Sequence, residues 1–206
     1  MEDMWSVVAS ERGALADDLA GLDDAAWDTR SLCEKWTVRD AVAHMIATAE
    51  MTPPKFAGKM IASGFDFQKM TAREIADKRE ADPAAELKHL RAVRDRRTGP
   101  PGPTTSWLGE TIVHAEDVRR PLGLSRTYPM DAVVAVADFY RGSNILIGSK
   151  KRIAGVTLKA TDTDWSHGTG PAAEGPMLSL LLAMTGRTSA LADLAGPGVE
   201  TLQSQS

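Results

Sequence analysis

Glu110 and His114 stand four residues apart in GETIVHAEDVRRPLG, residues 109–123. On an α-helix that spacing turns through about 400°, which stacks the two side chains on one face. A carboxylate and an imidazole so placed can hold one metal ion from the same side. Two protein ligands hold a metal poorly, so this chemistry needs a third from elsewhere in the chain. His44 is the candidate. It lies close to the apolar stripe Val38, Val42, Met45, Ile46 and Met51 of WTVRDAVAHMIATAEM, away from the charged face of that segment. Helical bundles build metal sites in this way, from side chains on facing helices. A set of two histidines and one carboxylate leaves coordination positions open, as catalytic sites do, whereas structural zinc sites are usually closed by four protein ligands. Zinc suits these ligand types; iron, nickel and manganese also accept them.

Each residue has a plainer reading as well. A Glu–His pair at i, i+4 is also a common surface ion pair, worth roughly 0.2–0.5 kcal/mol. A histidine beside an apolar stripe is commonly a core residue satisfied by one hydrogen bond. Asp40, one turn before His44, and Asp117, three residues after His114, are candidates to orient the imidazoles from behind. Asp40 equally suits a helix cap with Thr37, and Asp117 suits an ion pair with Arg120. Arg119 and Arg120 are candidate contacts for an acidic substrate, and they also complement the dipole at the end of their helix.

The elements that must position these groups are mostly helices. Val7, Val8, Leu15, Leu19 and Leu22 recur at a helical period over residues 3–20, and Trp27 falls in a polar connection that runs to Trp36. Thr37 and Asp40 form a capping-box-like start to the next helix, which Pro53-Pro54 ends. Residues 55–81 read as a short helix, a break at Gly64 and a charged helix. Pro83 opens another helix, on which His89 and the basic run Arg91, Arg94, Arg96 and Arg97 read as solvated. TGPPGPTT, residues 98–105, is a loop, residues 106–120 form the helix of Glu110 and His114, and residues 129–143 form one more. After about residue 150 the texture changes. RIAGVTLKAT alternates as a half-buried strand, DTDWSHGTGP is turn-rich with His167 in it, EGPMLSLLLAMTGR is an apolar helix and GRTSALADLAGPG a short one. The expected architecture is mainly α: a bundle of about five or six helices over residues 1–148, then a small α/β unit over residues 149–206.

Composition narrows the function classes. Of 206 residues, 43% are apolar and 25% charged, which is ordinary for a soluble globular protein. A formal net charge of −4 gives no electrostatic reason to expect nucleic acid as a partner. No apolar run approaches the roughly 18–20 residues that span a bilayer, so no membrane partner is expected. The N-terminus carries no basic-then-apolar signal, and a solitary cysteine, Cys33, suits a reducing cytoplasm and reads as a bystander thiol. A glycine-rich phosphate loop, a G-x-S-x-G elbow and a CxxC pair are all missing from the sequence.

WTVRDAVAHM, residues 36–45, followed far downstream by GETIVHAEDVRRPLG, resembles the metal-binding domain of the mycothiol-dependent maleylpyruvate isomerases, part of the DinB-like superfamily. ERGALADDLAGLDDAAWDTRSLCEKWTVRD shares the family's look, and the C-terminal stretch resembles the small C-terminal portion of such proteins. The resemblance covers roughly residues 5–125. It implies a DinB-like antiparallel helical bundle with a small C-terminal α/β extension, and it implies that His44, Glu110 and His114 are the metal ligands. It further implies a low-molecular-weight thiol, mycothiol or one like it, as cosubstrate with an electrophilic small molecule, for isomerisation or S-transfer. Two rivals stand beside that expectation: a metal-dependent hydrolase, and a non-enzymatic metal-binding or stress-response protein. Monomer and homodimer remain equally open.

Overall fold

The computed structural model describes residues 3–33, 35–144 and 147–206. Contacts divide the chain into two compact units, Met1–Arg126 and Thr127–Ser206. The first unit is helical. It comprises α1 (Met4–Leu19), α2 (Asp24–Trp27), α3 (Val38–Glu50), α4 (Pro53–Ala62), α5 (Phe67–Lys78), α6 (Pro83–Val93) and α7 (Thr104–Arg119), with a 3-10 turn at Arg120–Leu122.

Local chemistry sets most of these boundaries. Thr37 accepts from the backbone of Asp40, and Asp40 accepts from the backbone of Thr37, so a full capping box starts α3. Thr52, Asp66 and Asp82 cap α4, α5 and α6 through their side chains, and prolines occupy the first turns of α4 and α6, where no amide hydrogen is needed. α1 packs on α6 and α7, and α3 packs on α5, α6 and α7. Leu15, Leu19, Trp27, Val42, Met45, Ile46, Leu90, Ala115 and Val118 meet in the core between them.

Two expectations change here. Trp27 belongs to a short helix, which Asp23 caps at Ala26, and its indole is buried in the core. A four-residue helix is too short to show a period. His89 is half-buried rather than solvated: its Nδ1 lies 2.7 Å from Glu80 Oε1 and its Nε2 3.3 Å from Glu50 Oε1. The packing of α6 on α3 brings that imidazole beside the acid at the end of α3, a contact no local pattern encodes.

The second unit carries α8 (Met130–Tyr140), α9 (Ser149–Arg152), β1 (Thr157–Ala160), β2 (Ser166–His167), β3 (Ala172–Gly175), α10 (Met177–Met184), a 3-10 segment (Thr188–Asp193) and α11 (Gly198–Ser204). The sheet order is β2-β1-β3, with β1 antiparallel to β2 and parallel to β3. Leu158 and Ala160 are buried as the alternation predicts. Two residues of the turn-rich stretch, Ser166 and His167, form β2, and β3 begins immediately after it. β2 and β3 are short and made of Ser, His, Ala, Glu and Gly, so they show neither strand period nor β-branched enrichment. Because Glu174 and Gly175 end β3, α10 starts only at Met177; residues 188–193 are 3-10 rather than α, and α11 lies outside any expected helix. α8 packs on α10, so the contact division falls before α8, whereas the change of texture in the sequence put the boundary after residue 148. The mainly α class with a small α/β extension stands. Among the described residues no helix is long and apolar enough to cross a membrane.

Candidate metal centre

His44 sits mid-way along α3, and Glu110 and His114 lie one turn apart on α7, which packs against α3. Their potential ligand atoms all lie within 4.8 Å of one another. His44 Nε2 is 3.8 Å from Glu110 Oε1, and the imidazoles of His44 and His114 meet edge to face with centroids 4.8 Å apart. Donors held about 2.1 Å from a tetrahedral zinc stand roughly 3.4 Å apart, so the three groups are spaced slightly wider than a loaded site. All three side chains are only 11–16% exposed.

The state of Glu110 argues for a cation. Both of its carboxylate oxygens are buried and have no hydrogen-bond partner among the described residues. Thr48, one turn past His44, and Thr111 are its hydroxyl-bearing neighbours, and Thr111 Oγ1 is itself buried without a partner. Burial raises the Glu110 carboxyl above the usual carboxylate range, against the pull of His114, of Arg12 and of the nearby Thr48 and Thr111 hydroxyls, which approach without hydrogen-bond geometry. An unpaired buried carboxylate is costly. Two imidazoles facing that carboxylate form the oxygen and nitrogen donor set that a divalent metal takes, so the residues fit such an ion.

His114 is oriented from behind. Its Nδ1 lies 2.8 Å from Asp117 Oδ2, and Asp117 is fully buried. With the Nδ1 proton held by the carboxylate, Nε2 is the nitrogen left to bind a metal. Asp40 is held within the start of its own helix and by Arg79. Its Oδ2 accepts from the Thr37 backbone and hydroxyl, and its Oδ1 lies 2.5 Å from Arg79, so the plainer reading, the helix cap, describes it. Arg119 is fully buried and its Nε donates to Asp18 at 2.6 Å, while Arg120 Nε donates to Glu116 at 3.1 Å. Both arginines are thus paired with acids of their own unit.

Trp36 completes the site, and sequence reasoning had assigned it no role. Its ring packs on both imidazoles, with centroids 4.8 Å from His44 and 5.5 Å from His114. The segment before α3 is tied down by Ser31 N donating to Trp36 O, Val38 N to Thr29 O and Leu32 N to the Asp117 carbonyl. Trp36 therefore walls one side of the histidine pair. In the sequence it stands immediately before the cap of the His44 helix, at the head of WTVRDAVAHM. Cys33 lies on this same connection and forms no disulfide. His167 lies in the second unit, on β2, with Nδ1 3.4 Å from Arg141. Burial lowers its pKa, and Arg141 adds to that.

Residues 8–119 match the family described as the mycothiol maleylpyruvate isomerase N-terminal domain, a span that holds Trp36, His44, Glu110 and His114. The fold is similar to the crystal structure of a mycothiol-dependent maleylpyruvate isomerase, with a TM-score of 0.65, 17% identity, and 94% of this chain and 91% of that one covered. A histidine-to-alanine mutant of such an isomerase gives a TM-score of 0.64 at the same identity and coverage. No curated protein sequence matches significantly. At that identity the structural likeness establishes the fold.

Proposed function

Because the chain belongs to the mycothiol maleylpyruvate isomerase N-terminal domain family over residues 8–119, we propose that it is a metal-dependent enzyme that uses a low-molecular-weight thiol, of the mycothiol kind, on an electrophilic small molecule. The observation that carries this reading is the convergence of His44, Glu110 and His114 around a buried carboxylate with no hydrogen-bond partner. These three residues would hold the ion. When bound, a divalent metal supplies Lewis acidity and an open position at which a thiol is held as thiolate at neutral pH.

The chain's own residues do the rest. Asp117 holds the His114 ring in one tautomer and orientation, and Glu110 lends the site its negative charge. Trp36 covers the two imidazoles on one side and keeps water from that face. In the isomerisation, the thiolate sulfur forms a C–S bond to one carbon of a cis double bond conjugated to a carbonyl, and the π pair moves onto the carbonyl oxygen. The former double bond rotates, the pair returns, and the C–S bond breaks to release the same thiolate and the trans product. In S-transfer the adduct instead takes a proton and leaves.

Protein purified without a histidine tag tests the reading by elemental analysis, followed by assay against conjugated cis-alkenes with and without added thiol. One divalent ion per chain and turnover that needs both ion and thiol are the expected results. Full activity in a His44→Ala, His114→Ala double variant would overturn the reading. Turnover without thiol would replace it with a metal-dependent hydrolase. Metal that only raises stability, with no turnover, would leave a non-enzymatic metal-binding protein.

A further inference from the structure

Arg12 lies on α1, the helix that packs against the one carrying Glu110 and His114. It is 1% exposed, and it differs from the other arginines around α1 in how it is satisfied. Arg126 grips Glu11 with both Nε and Nη2 at 3.0 Å, and Arg119 Nε donates to Asp18. Arg12 spends only Nη1, on the carbonyl of Arg96 at 3.0 Å. Its Nε and Nη2, the edge that forms two parallel bonds to a carboxylate, are buried and meet no acceptor among the described residues.

A guanidinium cannot shed its proton to escape this position. Burial lowers its pKa from the ordinary arginine value, and the charge of Glu110 opposes that shift. Glu110 is in turn held down by His114 and by Arg12 against the effect of its own burial. Thr105 against Met4 and Arg119 against Asp18 register α7 alongside α1, which sets Arg12 level with the turn between Glu110 and His114. The two charges therefore face each other across the interior without a direct hydrogen bond. That acid is also the one carboxylate of the candidate ligand set. One negative charge cannot neutralise both a guanidinium and a divalent ion.

Resting on the metal reading above, we infer that Arg12 is a positioning residue of the metal centre, whose buried positive charge biases the open coordination position toward an anion and against a neutral ligand. It touches neither ion nor substrate in this role. It sets the field in which the fourth ligand is chosen, and a thiolate gains from that field where a neutral water or amine does not. The same field works against loading the metal, so Arg12 trades some metal affinity for this selectivity.

The test uses full-length, tag-free protein loaded with cobalt(II), titrated with azide and with imidazole and followed by the visible absorption of the ion. Wild type, Arg12→Met and Arg12→Lys are compared, with Arg12→Gln as the uncharged variant that can still donate to the Arg96 carbonyl should methionine prevent folding. Loss of one charge acting through the interior is expected to weaken azide by about tenfold or more in the uncharged variants. Imidazole affinity should move by less than about twofold, and Arg12→Lys should keep azide affinity within about threefold of wild type. A purely structural role would lower the melting temperature and leave the azide-to-imidazole ratio of the loaded protein unmoved. That unmoved ratio, with cobalt bound normally, overturns this inference alone. Failure of wild type to bind cobalt overturns the metal reading and this inference with it.

Discussion

Asp117 and Glu110 do different work for the same centre, and each makes its own prediction. Asp117 is fully buried and accepts from His114 Nδ1, so Asp117→Asn should keep the fold but loosen the ring's tautomer and lower its basicity. Metal affinity should then fall roughly 10–100-fold, measured by competition with a chromophoric chelator; an unchanged affinity would show that Asp117 only fills space. Glu110 contributes to the pH response of the metal-free protein. Its folded-state pKa is raised by burial above the unfolded value, so the folded state binds the proton more tightly. Below the ordinary carboxylate pKa of about 4.3, its contribution to stability is fully present. As pH rises from there through the raised folded-state pKa, that stability is lost. Urea unfolding in the presence of a chelator should show this decline, and Glu110→Gln, which has no charge to bury, should abolish Glu110's share of it.

At the scale of elements, α3 is the piece whose ends matter most. The capping box at Thr37 and Asp40 fixes its first turn, two turns before His44, and immediately after Trp36. Thr37→Ala removes the side-chain acceptor for the Asp40 amide and should cost about 1 kcal/mol of stability by urea unfolding. It should also weaken metal binding if the same cap sets the approach of Trp36 to the imidazoles, a loss that chelator competition would detect. The β2–β3 connection offers a comparable test in the second unit. Gly170 has φ +128°, and a Cβ there would stand 2.1 Å from the carbonyl oxygen of Gly155. Gly170→Ala must therefore displace backbone, and a cost of about 1–3 kcal/mol is expected from the strained φ alone. Faster amide exchange across β1 would report it; unchanged protection would show that the loop moves aside freely.

For the molecule as a whole, the proposed metal site links ion binding to stability, because its three candidate ligands come together only when α3 and α7 are packed. An ion that binds the folded state and not the unfolded one stabilises by about 2.7 kcal/mol at a free concentration a hundredfold above Kd. Thermal or urea unfolding with and without zinc should show that gain in wild type. In His44→Ala, which removes the α3 member of the candidate ligand set, it should vanish. Persistence of the full gain in that variant would place the binding elsewhere.

The helices of the first unit were legible because caps, prolines and the 3.6-residue period are local properties of the chain. Thr37 with Asp40, Pro53-Pro54, Pro83 and the 98–105 loop marked their own positions. Glu110 and His114 were legible for the same reason: a helix places residues four apart on one face wherever it lies. The small sheet was not, since two of its strands are too short to show alternation and are held by pairing with β1 rather than by their own composition. Four decisions belonged to tertiary structure alone. They are the approach of His44 to the α7 pair, the seating of Trp36 on both imidazoles, the enclosure of Arg119 with Asp18, and the burial of Arg12 with two of its three guanidinium nitrogens unanswered among the described residues. Each depends on the rotation and packing of one helix against another. Sequence determines which face of a helix is apolar, and only the packed bundle determines which neighbour that face meets.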